Sequence, residues 1–411
     1  MTSSPSCSDR PRASPLVAAV ALGLACAGAS REAPSPGSTP GRAAPPVARP
    51  VAPVRVALFP IENLTGSTAP MRELVGPVER ALALQGLDVV SGEAVQLFLA
   101  RHRIRYTGGL DRPSARAARE ELGVDGVVIT TFETYRPGPP PRVALTMRLV
   151  SSGEDPTIQW IDGFGRAGDD APGLLGLGIV DDLKALEREA LARLAGSLAD
   201  FLWRKGERAP PCPRGRRYRP AIAYRSATFR PGRDQTVAVV PFLNRSKRRG
   251  GGDLVALAFV RQLAATPNLH PVEPGVVREA LLGQRIIMEG GISLEAARLL
   301  VGVLDVDLVL AGEVLDYDDA GLPKVNFAAT MLDRGSGQVV WQSISYNQGD
   351  DGVFFFDLGT VSTAERLACR MAANVVDRMI EGVPARGGER PVPGAGRFLE
   401  QAFGQRKAIR P

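Results

Sequence analysis

One run of glycines has the spacing of a phosphate-binding loop. Gly163, Gly165 and Gly168 match the Gly-x-Gly-x-x-Gly fingerprint of dinucleotide-binding domains and follow a predicted strand. In those domains the glycines open a helix at once. Here the segment Asp169–Gly173 comes next, and its Pro172 and paired acids break a helix and place negative charge where a pyrophosphate would sit. We therefore expect no nucleotide and no other cofactor at this run.

Residues that bind metals or act as nucleophiles are few in this chain. The 411 residues include four cysteines and two histidines, with no Cys-x-x-Cys motif and no histidine close to a cysteine. They are Cys7, Cys26, Cys212, Cys369, His102 and His270. A zinc site would lack its usual ligands, so we expect no metal centre. Cys212 and Cys369 fit a disulfide in an oxidising compartment and equally fit two separate thiols.

The sequence also lacks the arrangements that are typical of catalysis. It contains no Gly-x-Ser-x-Gly, no P-loop and no His-Glu-x-x-His motif. Acid pairs such as Asp169 and Asp170 are adjacent, so on an extended strand they would point to opposite faces. We therefore expect a protein that is not an enzyme.

Two segments carry side chains suited to binding. Lys247, Arg248 and Arg249 follow the end of a predicted strand, where α/β sheets commonly bind ligands, so they form either a candidate anion-binding loop or a solvated loop. The other segment places two acids before three aromatic residues, some of which face outward unless another surface covers them. Its members are Asp350, Asp351, Phe354, Phe355 and Phe356. We expect interdomain packing there first and a partner surface second.

The N-terminus has the organisation of an export signal. Arg10 and Arg12 precede a short uncharged stretch, Pro15–Ala25, that is too short to span a bilayer. The stretch ends in Leu-Gly-Leu-Ala before Cys26, which resembles the bacterial lipobox, and the resemblance implies that Cys26 is lipidated. A plain secretory peptide cleaved near Ala27–Ala29 is the alternative. Ala27 resembles the outer-membrane sorting signal, which implies an anchor in the outer membrane on its periplasmic face.

Charge gives limited information about partners. The net charge is +6, but only five of the 50 basic residues are lysine, which also fits the codon usage of a GC-rich genome. Arginines cluster in the stretch 205–234, with Tyr218 and Tyr224 among them. Export makes a nucleic acid partner improbable, so the alternatives are an anionic cell-wall or lipid surface and a merely solvated linker.

An internal repeat organises most of the chain. The segment Val56–Asn63 matches Val237–Asn244, and Trp160 matches Trp341 at the same spacing of 181 residues. Each copy predicts a strand, a helix, a strand, two helical segments, three strands in a meander and a closing helix. In the first copy the segments are Arg55–Pro60, Met71–Leu84, Leu87–Ser91, Ala94–Arg103, Ser114–Leu122, Gly126–Tyr135, Arg142–Val150 and Thr157–Phe164, followed by a leucine-rich helix. This order predicts an α/β fold with a mixed sheet in each copy.

The segment Val-Ala-Val-Val-Pro-Phe-x-Asn, with the later Gly-Val-Asp-x-Val-Val and a tryptophan hairpin, resembles a group of bacterial envelope domains. It is similar to the N-terminal domain of TolB, to the lipoprotein activators of penicillin-binding proteins and to the curli-secretion lipoprotein CsgG. The resemblance covers both copies and implies a non-enzymatic binding or scaffolding role with an envelope protein as partner.

The predicted organisation has six parts. They are a signal peptide (1–25), a Pro/Ala/Ser/Gly-rich tether (26–52), a first α/β domain (53–204), a basic linker (205–234), a second α/β domain (235–382) and a Gly/Pro-rich tail (383–411). We expect a non-catalytic periplasmic lipoprotein that acts in an envelope assembly for cell-wall synthesis, transport or secretion. The alternative is a secreted ligand-binding or hydrolytic enzyme with a cleft between the two domains.

Overall fold

The computed structural model describes residues 54–171, 178–203, 210–288, 290–353 and 359–382. It confirms the predicted fold class, because each copy of the repeat folds into a mixed β-sheet packed with helices. We call these the first repeat and the second repeat. None of the helices in the described residues is long and apolar enough to cross a membrane.

The first repeat contains a sheet with the strand order β3-β1-β4-β5-β6, and β2 pairs with β4. β1 runs parallel to β3 and β4, whereas β4, β5 and β6 form an antiparallel meander. The strands are β1 (Arg55–Leu58), β2 (Glu62–Asn63), β3 (Asp88–Val90), β4 (Gly126–Arg136), β5 (Arg142–Ser151) and β6 (Ile158–Ala167). The helices are α1 (Met71–Ala83), α2 (Gly92–Arg101), α3 (Arg112–Ala117) with a π-helical turn (Ala118–Leu122), and α4 (Leu183–Trp203).

The second repeat has the same order, with one additional strand. Its sheet runs β10-β8-β11-β12-β13-β7, and β9 pairs with β11. The strands are β7 (Ile222–Arg225), β8 (Gln235–Val239), β9 (Leu243–Asn244), β10 (Leu269–Pro271), β11 (Leu308–Asp318), β12 (Lys324–Asp333) and β13 (Val339–Gln348). The helices are α5 (Gly251–Ala264), α6 (Pro274–Gly283), α7 (Leu294–Val303) and α8 (Ala364–Glu381). The edge strand β7 lies in the stretch of chain between the repeats. It belongs to the second sheet because it pairs antiparallel with β13.

Local sequence explains why the two repeats begin alike. Asn63 follows β1 and its proline, and its side chain accepts hydrogen bonds from the backbone N–H and the hydroxyl of Thr65. Asn244 makes the same pair of contacts with Ser246. The matched asparagines therefore turn the chain toward the first helix of each repeat, as their position after a strand-ending proline predicts.

Each sheet buries one face under a pair of long helices. α1 and α4 cover the first sheet, and α5 and α8 cover the second, through apolar side chains that alternate along the strands. Shorter helices cover part of the opposite faces: α2 and α3 on the first sheet, and α6 and α7 on the second. A single cluster of buried side chains includes residues from both repeats, so the two repeats share one core.

Candidate functional site

The second repeat packs against the half of the first sheet that α2 and α3 leave uncovered. We call this area the docking face; it is formed by Thr146, Arg148, Gly163 and Gly165. A Cβ atom at Gly165 would lie 2.3 Å from Glu365 Oε2 and 2.4 Å from Thr363 Oγ1, both at the start of α8. A Cβ atom at Gly163 would lie 2.6 Å from Arg261 Nη1 on α5. The fingerprint-like glycines lie inside or just after the antiparallel strand β6, and Gly163 and Gly165 let the second repeat approach closely.

A buried ion pair joins the docking face to the second repeat. Arg148 is 1% exposed, and its Nη2 lies 3.2 Å from Oε1 of Glu273, which precedes α6. Arg148 also donates to the carbonyl of Gly108, and Glu273 accepts a further hydrogen bond from the N–H of Leu110. A buried pair of this kind is retained only when further hydrogen bonds satisfy both partners, as they do here.

Arg248 is the centre of a second buried contact between the repeats. Its guanidinium donates to Asp319 Oδ2 (2.8 Å), to the carbonyl of Leu64 (2.9 Å) and to the carbonyl of Glu133 (2.8 Å). The side chain is therefore committed to joining the two repeats and is not open to a ligand. Of the candidate anion-binding loop, only Lys247 and Arg249 are exposed.

A third group of charges surrounds Arg261 on α5. Its guanidinium bonds Asp162 of β6 (2.7 Å) and Glu365 of α8 (2.9 Å), and both carboxylates are buried. Glu133 is buried nearby and accepts a hydrogen bond from Thr146. Burial, with the charge of Glu365, raises the pKa of Glu133 to about 8. The raised pKa favours the protonated form of Glu133, which lessens the negative charge buried at this interface.

A cavity of about 660 Å³ lies between the two repeats, a volume in the range of small-molecule sites. Its polar lining comes from both repeats: Glu62, Tyr106 and Arg148 from the first, and Asp253, Arg278 and Arg285 from the second. α5 and α6 of the second repeat contribute an apolar wall. Its side chains are Ala256, Leu257, Val260, Val277, Leu281 and Leu282. The cavity is therefore a cleft between the repeated domains whose lining is polar in part and apolar along α5 and α6.

The second sheet has a face that corresponds to the docking face, and within the part of the chain that the structure describes this face is open. We call it the open face; it is formed by Ile222, Tyr224, Ile344 and Tyr346. Ile222 is 62% exposed, Tyr224 52% and Tyr346 48%. Ile222 pairs with Ile344 across β7 and β13, so these apolar side chains form one continuous patch. At the repeat spacing of 181 residues, Ile344 and Tyr346 take the places of Gly163 and Gly165.

The acidic and aromatic segment after β13 is described only in part. Asp350 is exposed, whereas the Asp351 carboxylate accepts hydrogen bonds from Asn347 Nδ2 (2.7 Å) and from the N–H of Gln348 (2.9 Å). Asp351 therefore closes a turn, which gives it a structural role. Phe354, Phe355 and Phe356 lie outside the described residues, as does Cys26.

Cys212 and Cys369 form a disulfide, which decides between the two alternatives that the sequence allows. It links the segment before β7 to α8 across a sequence separation of 157 residues. Disulfides persist in oxidising compartments such as the periplasm. The bond therefore supports export of the chain.

Several residues at these sites were not singled out from the sequence. Arg148 and Glu133 are isolated charges within apolar strands, and Glu62, Tyr106 and Asp253 are scattered along the chain. The available signal is the comparison of the two repeats, because Arg148 takes the place of Thr330 and Glu133 that of Leu315. A charge that interrupts an apolar strand in only one of two matched domains indicates a contact that only that domain makes.

Comparisons with known proteins give partial structural alignments only. No family model matches the chain, and no curated protein matches its sequence. The PelC dodecamer from Paraburkholderia phytofirmans aligns at 16% identity and a TM-score of 0.26, covering 38% of this chain and 94% of that chain. The lipoprotein GNA1162 from Neisseria meningitidis aligns at 21% identity and a TM-score of 0.24, covering 28% and 79%. The C-terminal domain of LpoB from Salmonella enterica aligns at 19% identity and a TM-score of 0.23, covering 28% and 82%. TM-scores this low assign neither a family nor a function to the chain.

Proposed function

We propose that this chain is a non-catalytic binding or scaffolding lipoprotein of the bacterial envelope, which holds another envelope protein on the open face. The observation that carries the proposal is the difference between two matched sheet faces. The docking face is covered by the second repeat, whereas the open face presents Ile222, Tyr224 and Tyr346 to solvent. Contiguous exposed apolar side chains of this kind mark interaction surfaces.

The rigid connection between the repeats suits such a role. Three buried arginines join the two repeats. Arg148 and Arg261 bond the carboxylates of Glu273 and Asp162 on the other repeat. Arg248 donates to the carbonyls of Leu64 and Glu133 on the first repeat. A scaffold needs a fixed surface, since flexible groups lose entropy when they bind. The second repeat carries the open face. The contacts that join this repeat to the docking face therefore also fix the position of the open face.

The N-terminal features place this scaffold at the outer membrane in our proposal. Cys26 carries the acyl chains, the tether 26–52 extends from it, and the disulfide of Cys212 fits an oxidising periplasm. The resemblance to TolB N-terminal domains and to activators of penicillin-binding proteins supports an envelope assembly as the setting. The exposed Asp350 and the three phenylalanines after it remain a further candidate partner surface.

In-cell crosslinking with mass spectrometry tests the proposal on the wild type, on Cys26→Ala and on the double variant Tyr224→Lys, Tyr346→Lys. We expect Cys26→Ala to leave the membrane fraction and the double lysine variant to stay there but lose the crosslinked partner. Membrane retention of Cys26→Ala with unchanged partners would contradict the anchor. An unchanged partner with the double lysine variant would contradict the open face as the binding surface.

A second candidate function is favoured by the cavity between the repeats, which is the cleft that a ligand-binding protein would use. This function does not exclude the first, because the cavity and the open face are formed by different residues.

A further inference from the structure

The second sheet ends in a strand that has a pairing partner on one side only. β7 is the last strand in the order β10-β8-β11-β12-β13-β7, and it pairs with β13. Among the residues that the structure describes, no strand pairs with its other side. An edge strand presents a row of backbone N–H and C=O groups, with which an extended segment of another chain can pair. β7 is therefore a candidate site for an added strand.

The side chains of β7 do not block this edge. Proteins often protect an edge strand with charged side chains, prolines or bulges. β7 has no proline and no register shift, and its single charged residue is Arg225. The guanidinium of Arg225 donates to the carbonyl of Ile380 at the end of α8 (3.0 Å) and lies 5.7 Å from the ring centroid of Phe229. Arg225 therefore has partners within its own repeat, and the exposed side chains of the strand, Ile222 and Tyr224, are uncharged.

The stretch of chain around β7 is strongly basic. Residues 210–234 contain seven arginines and one acidic residue, Asp234. Arg214, Arg217 and Arg225 bond groups of the second repeat. The other four are exposed and have no hydrogen bond or ion pair with the residues that the structure describes. They are Arg216, Arg219, Arg230 and Arg233, two before β7 and two after it.

This charge decides which kind of chain suits the edge. If β7 of a second copy paired with β7, the arginines of both copies would come together and repel each other. An acidic segment is attracted instead, because its carboxylates can pair with the exposed guanidinium groups at both ends of β7. An anionic polymer or a lipid surface attracts the arginines as well, but it has no peptide backbone that pairs with a strand. An acidic polypeptide suits both the charge and the edge.

We propose that β7 binds a short acidic segment of the partner protein as an additional strand of the second sheet. The backbone of the segment pairs with the free edge of β7, and its carboxylates lie against Arg219 and Arg230. Its apolar side chains extend the surface formed by Ile222 and Tyr224. This inference rests on the proposed function, because it names the chemistry of the partner that the open face holds.

Four labelled peptides test the added strand by fluorescence anisotropy. The protein is the full chain carrying Cys26→Ala, which avoids detergent. The parent peptide is Glu-Glu-Val-Thr-Val-Thr-Val-Glu-Glu, and a second peptide has lysine in place of each glutamate. Two more keep the acidic sequence but are N-methylated, one on its three valines and the other on its two threonines. Alternate residues of a strand direct their N–H groups to opposite edges, so only one of the two methylated sets faces β7.

The added strand predicts a distinctive order of affinities. We expect the parent peptide to bind at least about tenfold more tightly than the lysine peptide. One methylated peptide should lose at least about tenfold in affinity, because its N–H groups can no longer donate to β7, and the other should bind as the parent does. Equal binding of all three acidic peptides would show attraction by charge alone and overturn the added strand. Lysine-peptide binding as tight as that of the parent, or no binding of the parent, would overturn the acidic partner.

A pair of substitutions at exposed arginines locates the binding. The double variant Arg219→Glu, Arg230→Glu reverses the charge at both ends of β7, so we expect the affinity of the parent peptide to fall at least about tenfold. The matched control is Arg116→Glu, Arg193→Glu, at exposed positions of α3 and α4 in the first repeat, which changes the net charge equally. Its affinity for the parent peptide should be that of the unsubstituted protein. Equal affinities in the two double variants would place the peptide elsewhere and overturn the proposal.

In-cell crosslinking separates this inference from the proposed function. We expect the double variant Arg219→Glu, Arg230→Glu to lose the crosslinked partner, as the double variant Tyr224→Lys, Tyr346→Lys does. If only the tyrosine variant loses the partner, the open face is the binding surface and the acidic strand is wrong. If neither variant loses it, the proposed function itself is wrong.

Discussion

The docking face of the first sheet and the open face of the second sheet are matched in register but differ in what lies on them. Gly163 and Gly165 on the first become Ile344 and Tyr346 on the second. On the first face the glycines leave room for α5 and α8, and charged groups bond the incoming repeat. On the second face large apolar side chains remain exposed. The same fold therefore serves in one copy to receive its neighbour and in the other to present a free surface.

This difference teaches how a duplicated domain acquires two roles. A face that stays permanently covered can have glycine in place of larger residues and can bury ion pairs, because its partner is always present within the same chain. A face that meets a separate partner keeps apolar area that can be buried on binding. Substitutions that exchange features between the two faces test this account.

The largest effect is expected from removing the buried charge of the docking face. Arg148→Ala leaves Glu273 buried without its cation, which costs about 3–5 kcal/mol of the free energy of unfolding. The control is Arg245→Ala, which breaks the more exposed pair between Arg245 and Glu313 in the second repeat and costs about 1 kcal/mol or less. Urea unfolding of both variants measures the difference. Equal losses would show that the docking face is not held by its buried charges.

A smaller effect is expected from exchanging one side chain between the faces. Gly165→Tyr places atoms where Glu365 and Thr363 lie, so we expect a loss of about 3 kcal/mol. The mirror substitution, Tyr346→Gly, removes an exposed side chain from a strand and should cost only about 1 kcal/mol. Thermal and urea unfolding compare the two. If Tyr346→Gly proved the more damaging, the assignment of covered and open faces would be reversed.

A further difference between the repeats concerns pH and the bulges of β4 and β11. Glu133 and Leu315 occupy these bulges. Because the pKa of Glu133 is raised to about 8 in the folded chain, its proton stays bound while the unfolded chain has lost it. Stability therefore falls as pH rises from about 4.5 to 8.

Two matched variants separate the effect of the Glu133 carboxyl on the pH dependence of stability from the effects of other carboxyl groups. Glu133→Gln should be less sensitive to pH across that window than the wild type, whereas Leu315→Glu at the exposed bulge should leave the pH dependence unchanged. Urea midpoints at pH 5 and pH 8 give the comparison. A wild-type slope that Glu133→Gln does not reduce would argue against a protonated Glu133 in the interface.

Much of the fold could be predicted from residue patterns. The alternation of apolar residues and the turn residues between them placed the three meander strands of the first repeat within a few residues, as the predicted Arg142–Val150 and the observed Arg142–Ser151 show. Helix starts were less accurate: the predicted Ala94–Arg103 begins at Gly92 and ends at Arg101. Periodicity fixes which face of a helix is buried, but fraying and capping set its ends.

The sites could be predicted only in part. The absence of a nucleotide at the fingerprint-like glycines stays a prediction. The close packing of Gly163 and Gly165 could not be predicted, because it depends on α5 and α8, which are distant in sequence. In the sequence, Arg248 resembles a solvent-exposed basic residue. Its partners Leu64, Glu133 and Asp319 are distant along the chain and approach it only after folding. β7 was assigned to the linker because four residues among arginines give too short a pattern to indicate a strand. The domain boundaries, the lipidation of Cys26 and the absence of catalysis remain predictions.

The most direct test of the central claim is site-specific photocrosslinking in cells from Tyr346 on the open face. The control position is Leu299 on α7, which is 62% exposed and equally apolar but lies outside both matched faces. We predict that a photoreactive residue at position 346 captures an envelope protein and that one at position 299 does not. Equal capture at both positions, or capture at 299 alone, would contradict the claim that the open face is the binding surface.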